Sequence, residues 1–182
     1  LRKKRPTKLN SLINNFTTMK KTIVVFGSST GMTEEVAGKI ADKLGVEAIN
    51  VTDFTADTVN ENENLLLGTS TWGAGDPQDD WYDGISLLQG SDLSGKTVAI
   101  FGVGDSEGYS DTFCGGMRSI YDAVEKAGAK VVGAVSTDGY TFDDSDSVID
   151  GKFLGLALDE TNEADKTDER VDAWLNEIKP EL

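Results

Sequence analysis

Short apolar runs alternate along the chain with segments whose apolar residues recur at helical spacing. TIVVFG (22–27) is a β-branched run of strand length, and MTEEVAGKIADKLG (32–45) follows it. There, apolar residues at 36, 37, 40, 41 and 44 line one helix face. Gly45 stands where a helix C-cap is expected. VEAINV (46–51) alternates as a strand, ENLLLGT (63–69) reads as a third strand, and a polar, Gly-rich stretch comes after it. KTVAIFGVG (96–104) is a fourth strand, DTFCGGMRSIYDAVEKAG (111–128) a helix, and AKVVGAVS (129–136) a fifth strand. DKTDERVDAWLNEIK (165–179) closes the chain as a helix with apolar residues at 171, 174, 175 and 178. Five such runs separated by helices predict an α/β fold, a doubly wound parallel sheet with helices on both faces.

One segment breaks this rhythm. Residues 137–164 are too long for an ordinary connection, and KFLGLAL within them is too strand-like for a plain loop. The simplest account is a fifth strand interrupted by an insertion and resumed at 153–158. Four acids in the insertion, Asp143, Asp144, Asp146 and Asp150, miss the EF-hand spacing, because Val148 occupies the fifth ligand position. They read as a solvated acidic loop.

Composition narrows the chemistry. The chain has 182 residues, no His and one Cys. That excludes Ser-His-Asp and Cys-His catalysis, histidine-ligated metals, thiolate-bound iron–sulfur clusters and an internal disulfide. The net charge is −15, from 17 basic and 32 acidic residues. Such a protein repels phosphate backbones and anionic lipid, so neither nucleic acid nor membrane is an expected partner. The charge is unevenly placed: residues 1–18 hold five basic residues and no acid. That leaves 12 basic against 32 acidic residues from Met19 onward, a net of −20. Residues 1–18 are therefore expected to be a basic extension outside the functional domain of 19–182. A cytoplasmic protein is expected, or an organellar one if the extension is a targeting segment.

In a doubly wound sheet, ligands sit beyond the carboxyl ends of the strands. Three of those ends are unusual here. GSSTGMT (27–33) opens the first helix with hydroxyls at Ser28, Ser29, Thr30 and Thr33, and Gly31 permits a tight turn. Successive amides at a helix start form an anion site. No Lys follows the glycine, and no cation lies between 22 and 38, so the loop suits a phosphate monoester held by neutral dipoles. TSTWGAGDPQDDW (69–81) presents Trp72 in a loop that buries it poorly, unless a flat partner covers it. FGVGDSEGYSDTFCGG (101–116) misses the dinucleotide fingerprint, since Glu107 takes the third glycine's place, but it presents Tyr109. A phosphate loop and two aromatics on neighbouring strand ends define a slot for a planar ring with a phosphate tail.

These residues resemble the flavodoxins, and specifically their long-chain class. Ser28, Thr30, Gly31 and Thr33 are similar to the family's T/S-x-T-G-x-T loop. Thr71-Trp72-Gly73 and GDSEGYSDTFC (104–114) resemble its second and third flavin loops. STDGYTF and GKFLGLALDE resemble the long-chain insertion and resumed strand. Met32 replaces the commoner Asn, and Thr112 stands where Asn or Asp is frequent.

The resemblance implies strand order 2-1-3-4-5, noncovalent FMN, and low-potential one-electron transfer between redox proteins, without catalytic turnover of its own. It implies that Ser28, Ser29, Thr30, Gly31, Met32 and Thr33 hold the phosphate, and that Trp72 and Tyr109 stack on the two flavin faces. The ring edge would meet Thr69, Ser70, Thr71 and Gly73 on one side. On the other it would meet Val103, Gly104, Asp105, Asp111, Thr112 and Cys114, with Asp138 near the ribityl chain. Implied partners carry basic docking surfaces: a flavin reductase of the ferredoxin-NADP reductase type and ferredoxin-using oxidoreductases. A monomer is expected. The alternative is a flavodoxin-like NAD(P)H:quinone reductase, which would need one flavin face open.

Overall fold

The computed structural model describes residues 18–182, so all of the expected basic extension except Thr18 lies outside the described residues. The main sheet is built from β1 (Thr22–Gly27), β2 (Glu47–Asn50), β3 (Asn64–Trp72), β5 (Thr97–Val103), β6 (Lys130–Val132) and β10 (Leu156–Leu158). A short strand, β4 (Asp76–Pro77), is hairpinned onto β3. The order β2-β1-β3-β5-β10 is parallel throughout, which is the predicted 2-1-3-4-5.

The alternation of side chains along the strands explains the two cores. Ile23, Val25, Leu65, Leu67, Val98 and Ile100 face one way, into a cluster with residues of α3 (Trp81–Gln89) and α4 (Met117–Lys126). Val24, Phe26, Leu66, Ala99 and Phe101 face the other, against α1 (Met32–Leu44) and α5 (Thr167–Ile178). With both faces covered, all of β1, β3 up to Thr69 and β5 from Val98 on are buried, which is why β1, β5 and the Leu65–Leu67 stretch read as apolar runs.

The fifth strand is interrupted, as expected, but in more pieces. β6 pairs with the first half of β5, Thr97 to Ala99, and β10 with the second half, Phe101 to Val103. Between them β7 (Val135–Ser136), β8 (Val148–Ile149) and β9 (Lys152–Phe153) form a separate antiparallel sheet. Hence AKVVGAVS and KFLGLAL are each divided between two sheets. Gly133, at φ +89°, turns the first out of the main sheet, and its carbonyl accepts a bond from Trp174 Nε1 at 2.9 Å.

Three further differences matter. The fourth helix begins at Met117 rather than 111, because a 3₁₀ turn (Ser110–Thr112) and the Cys114–Gly116 loop precede it. Two helices, α2 (Ala56–Glu61) and α3, occupy stretches read as connections. β3 runs on to Trp72, so that residue ends a strand instead of sitting within a loop.

Candidate functional site

A cleft of about 220 Å³ opens at the carboxyl ends of β1, β3 and β5, where the strand order reverses. Its first wall comes from the turn between β1 and α1. Gly31 caps the helix at φ +91°, a conformation costly for any residue with a Cβ. Its amide donates to Ser28 Oγ at 3.1 Å, and the first helical bond runs from Glu35 to the Gly31 carbonyl. Helix geometry thus leaves the amides of Met32, Thr33 and Glu34 without an intrahelical acceptor. Thr30 and Met32 line the cleft. Thr33 is buried, and its Oγ1 has no hydrogen-bond partner. Ser29 Oγ is engaged by Gln78 Nε2 at 3.3 Å.

The second wall is the β3–β4 hairpin. Trp72 pairs with Asp76, and the Gly75 amide donates to the Trp72 carbonyl at 3.1 Å. The tight turn places Gly73 at φ +54°. Hydroxyls here are already committed to holding the hairpin. Thr69 Oγ1 accepts the Gln78 amide at 3.0 Å, and Thr71 Oγ1 accepts the Gly116 amide at 3.2 Å. Ser70 Oγ accepts from Trp72 Nε1 at 2.8 Å, fixing an indole that remains 44% exposed.

The third wall is the loop after β5. Asp105 accepts the amides of Gly108 at 2.8 Å and Glu107 at 3.2 Å, and the Tyr109 amide closes the turn on the Asp105 carbonyl at 2.9 Å. These bonds, the Gly108 amide foremost with the Asn162 amide after it, hold the Asp105 carboxyl below its ordinary range. The turn leaves Tyr109 59% exposed at the cleft. Thr112 and Cys114 complete the floor, and the Thr112 hydroxyl is a second buried group without a partner. Cys114, at φ +52°, is wholly buried, with Sγ 3.5 Å from the Leu158 carbonyl. Burial pushes its thiol well above the ordinary value, so it is no nucleophile at neutral pH.

The cleft therefore gathers Thr30, Met32, Ser70, Thr71, Trp72, Gly73, Val103, Gly104, Asp105, Tyr109, Thr112 and Cys114, all singled out from sequence. Ser28, Ser29, Gly31, Thr33 and Thr69 belong to the segments that form its walls but not to the lining itself, and Asp111 is exposed outside the lining. Asp138 is not brought to the cleft. It borders a different groove with Tyr140, Arg170 and Trp174, because β7 has left the main sheet before residue 138. Thr161 lines the cleft unannounced. Its only signal was its position just past the carboxyl end of the resumed fifth strand. Among the described residues no cluster of three His, Cys, Asp or Glu side chains could hold a metal ion.

A doubly wound sheet with an anion-ready helix start and two exposed aromatics around one cleft defines a binder of planar, phosphate-tailed ligands. Comparison with known proteins is specific. Residues 24–174 match the flavodoxin family model. The chain is 41% identical over 171 residues to Flavodoxin 1 of Azotobacter vinelandii, covering 90% of this chain and 98% of that one. A flavodoxin of a Nostoc species is likewise 41% identical over 166 residues, with the same coverage. Among solved structures, Fusobacterium nucleatum flavodoxin bound to flavin mononucleotide aligns at TM-score 0.85 and 36% identity, covering 90% of this chain and 99% of that one. The chain belongs to the flavodoxin family. Nothing in these comparisons favours the quinone reductase alternative.

Proposed function

We propose that this chain is a low-potential, one-electron carrier that works on noncovalently bound FMN and passes electrons between redox proteins. The observation that carries the reading is the pairing of an unpartnered, buried Thr33 hydroxyl and free helix-start amides with a cleft edged by Trp72 and Tyr109. A buried hydroxyl without a partner is costly, and a phosphate oxygen would supply the missing partner. Thr30 and Thr33 with the Met32–Glu34 amides would hold the phosphate. Trp72 and Tyr109 would cover the ring, and the 103–105 backbone would meet its edge.

FMN supplies reversible acceptance of one electron at a time. The chain's own contribution is shelter and charge. From Met19 onward it carries a net of −20, from 12 basic and 32 acidic residues. Each carboxylate about 10 Å from a newly added negative charge opposes it by about 1.7 kcal/mol at an effective dielectric of 20. That corresponds to about 70 mV for a one-electron couple. Several such acids make the fully reduced state a strong reductant. The acids also suit partners with basic docking surfaces, of the ferredoxin-NADP reductase and ferredoxin-using kinds. The FMN domain spans 19–182.

The purified full chain should show a flavin absorbance spectrum, yield FMN on extraction, and accept electrons in two separate steps during reductive titration. FAD in the extract, or no flavin bound after reconstitution, overturns the reading.

A further inference from the structure

Most acids of this chain lie on its surface, but Asp159 is fully buried, and among the described residues it forms no ion pair. A charge so placed is unfavourable unless donors surround it. They do. Oδ2 accepts the Ser106 amide at 3.1 Å and the Ser106 hydroxyl at 2.5 Å, and Oδ1 accepts the amides of Thr161 at 3.1 Å and Asn162 at 2.9 Å. The Asn162 side-chain amide reaches Asp159 Oδ2 at 3.0 Å and also Asp105 Oδ1 at 2.8 Å. The Gly104 amide adds a backbone tie to the Leu158 carbonyl at 2.9 Å.

These bonds join two segments distant in sequence, the loop after β5 and the turn after β10. Both carry residues of the cleft: Gly104, Asp105 and Tyr109 on the first, Thr161 on the second. We propose that Asp159 is a positioning residue for the flavin, its buried carboxylate locking these two segments together so that the Tyr109 wall stands formed before the ring arrives. A wall already in place spares the ordering cost that a loose loop would charge against binding. Burial alone would disfavour the charged carboxylate, and the Ser106 and Asn162 donors more than compensate, so the lock is closed at neutral pH. The inference rests on reading the cleft as an FMN site.

The test compares the full-length holoproteins of wild type, Asp159→Asn and Thr33→Val, following FMN release by recovered fluorescence and the visible spectrum of the bound flavin. Asp159→Asn should release FMN about tenfold faster, with absorption maxima displaced toward those of free FMN. Thr33→Val should release it faster with the maxima unmoved, because it acts on the phosphate end. Wild-type release in Asp159→Asn overturns the proposal, and so does faster release without spectral change, which a general loosening would give. Should Asp159→Asn not fold, Ser106→Ala and Asn162→Ala carry the same test. Release about threefold faster with the same displacement supports the lock, and wild-type behaviour in both overturns it. Failure of the wild type to bind FMN would instead overturn the function proposed above, and this inference with it.

Discussion

Under the proposed function, Thr33 serves binding at the expense of folding. Its hydroxyl is buried with no partner, a loss that the flavin-free chain must absorb. Thr33→Val should therefore raise the stability of the flavin-free chain by about 1 kcal/mol. It should also weaken FMN about tenfold, near 1.4 kcal/mol, while riboflavin binding stays unchanged. Denaturation midpoints and the two dissociation constants check all three. Asp159 gives a pH dependence of definite sign. Burial raises its pKa, but the bonds from Ser106 and Asn162 win, leaving the folded carboxyl more acidic than the unfolded one. The unfolded chain then binds the proton more readily, so the stabilisation is complete above about pH 4 and is lost as pH falls through the folded value. Asp159→Asn should be less stable than wild type in urea at pH 7, and the difference should narrow below about pH 4.

At the scale of elements, what could be read in advance followed from burial on two sides. β1, β5 and the Leu65–Leu67 stretch of β3 are apolar almost without interruption, and α1 and α5 carry a clear apolar stripe, so their positions were legible. α3 was hidden because its buried residues are Trp81, Gly84 and Leu88, a stripe with a glycine at its centre, preceded by Asp79 and Asp80. Gly84 is there because a Cβ would meet Val51 at 2.7 Å. The start of α4 was misplaced for the opposite reason: apolar Phe113 and Cys114 lie in the core ahead of the helix, Phe113 against the rings of Tyr140, Phe142 and Phe153. Nearly all of the cleft lining was legible, since hydroxyls, glycines and aromatics cluster at strand ends. Thr161 escaped notice because its placement depends on the Asp159 turn. A close approach within the sheet yields a further prediction. A Cβ on Gly68 would lie 2.1 Å from the Phe101 ring, which also packs edge-on against Trp174 with ring centroids 6.3 Å apart. Gly68→Ala should cost about 2–3 kcal/mol, read as a lowered urea midpoint.

At the scale of the whole molecule, charge dominates. An excess of acids this large should steer a basic partner into contact and fade as salt screens it, with a Debye length of about 10 Å at 0.1 M. Electron-transfer rates with a reductase bearing a basic face should fall steeply between low and high ionic strength. Rates flat with salt in stopped flow would show that the acids only hydrate the surface. The divided fifth strand bears on a different matter. β6 and β10 contribute three residues each to one margin of the sheet, and β2 contributes four to the other. A foreign strand seeking to extend the sheet would find too little continuous backbone on either side to zip onto. The short margins thus act as a safeguard against edge-to-edge stacking, and repairing the break into one long strand would remove it.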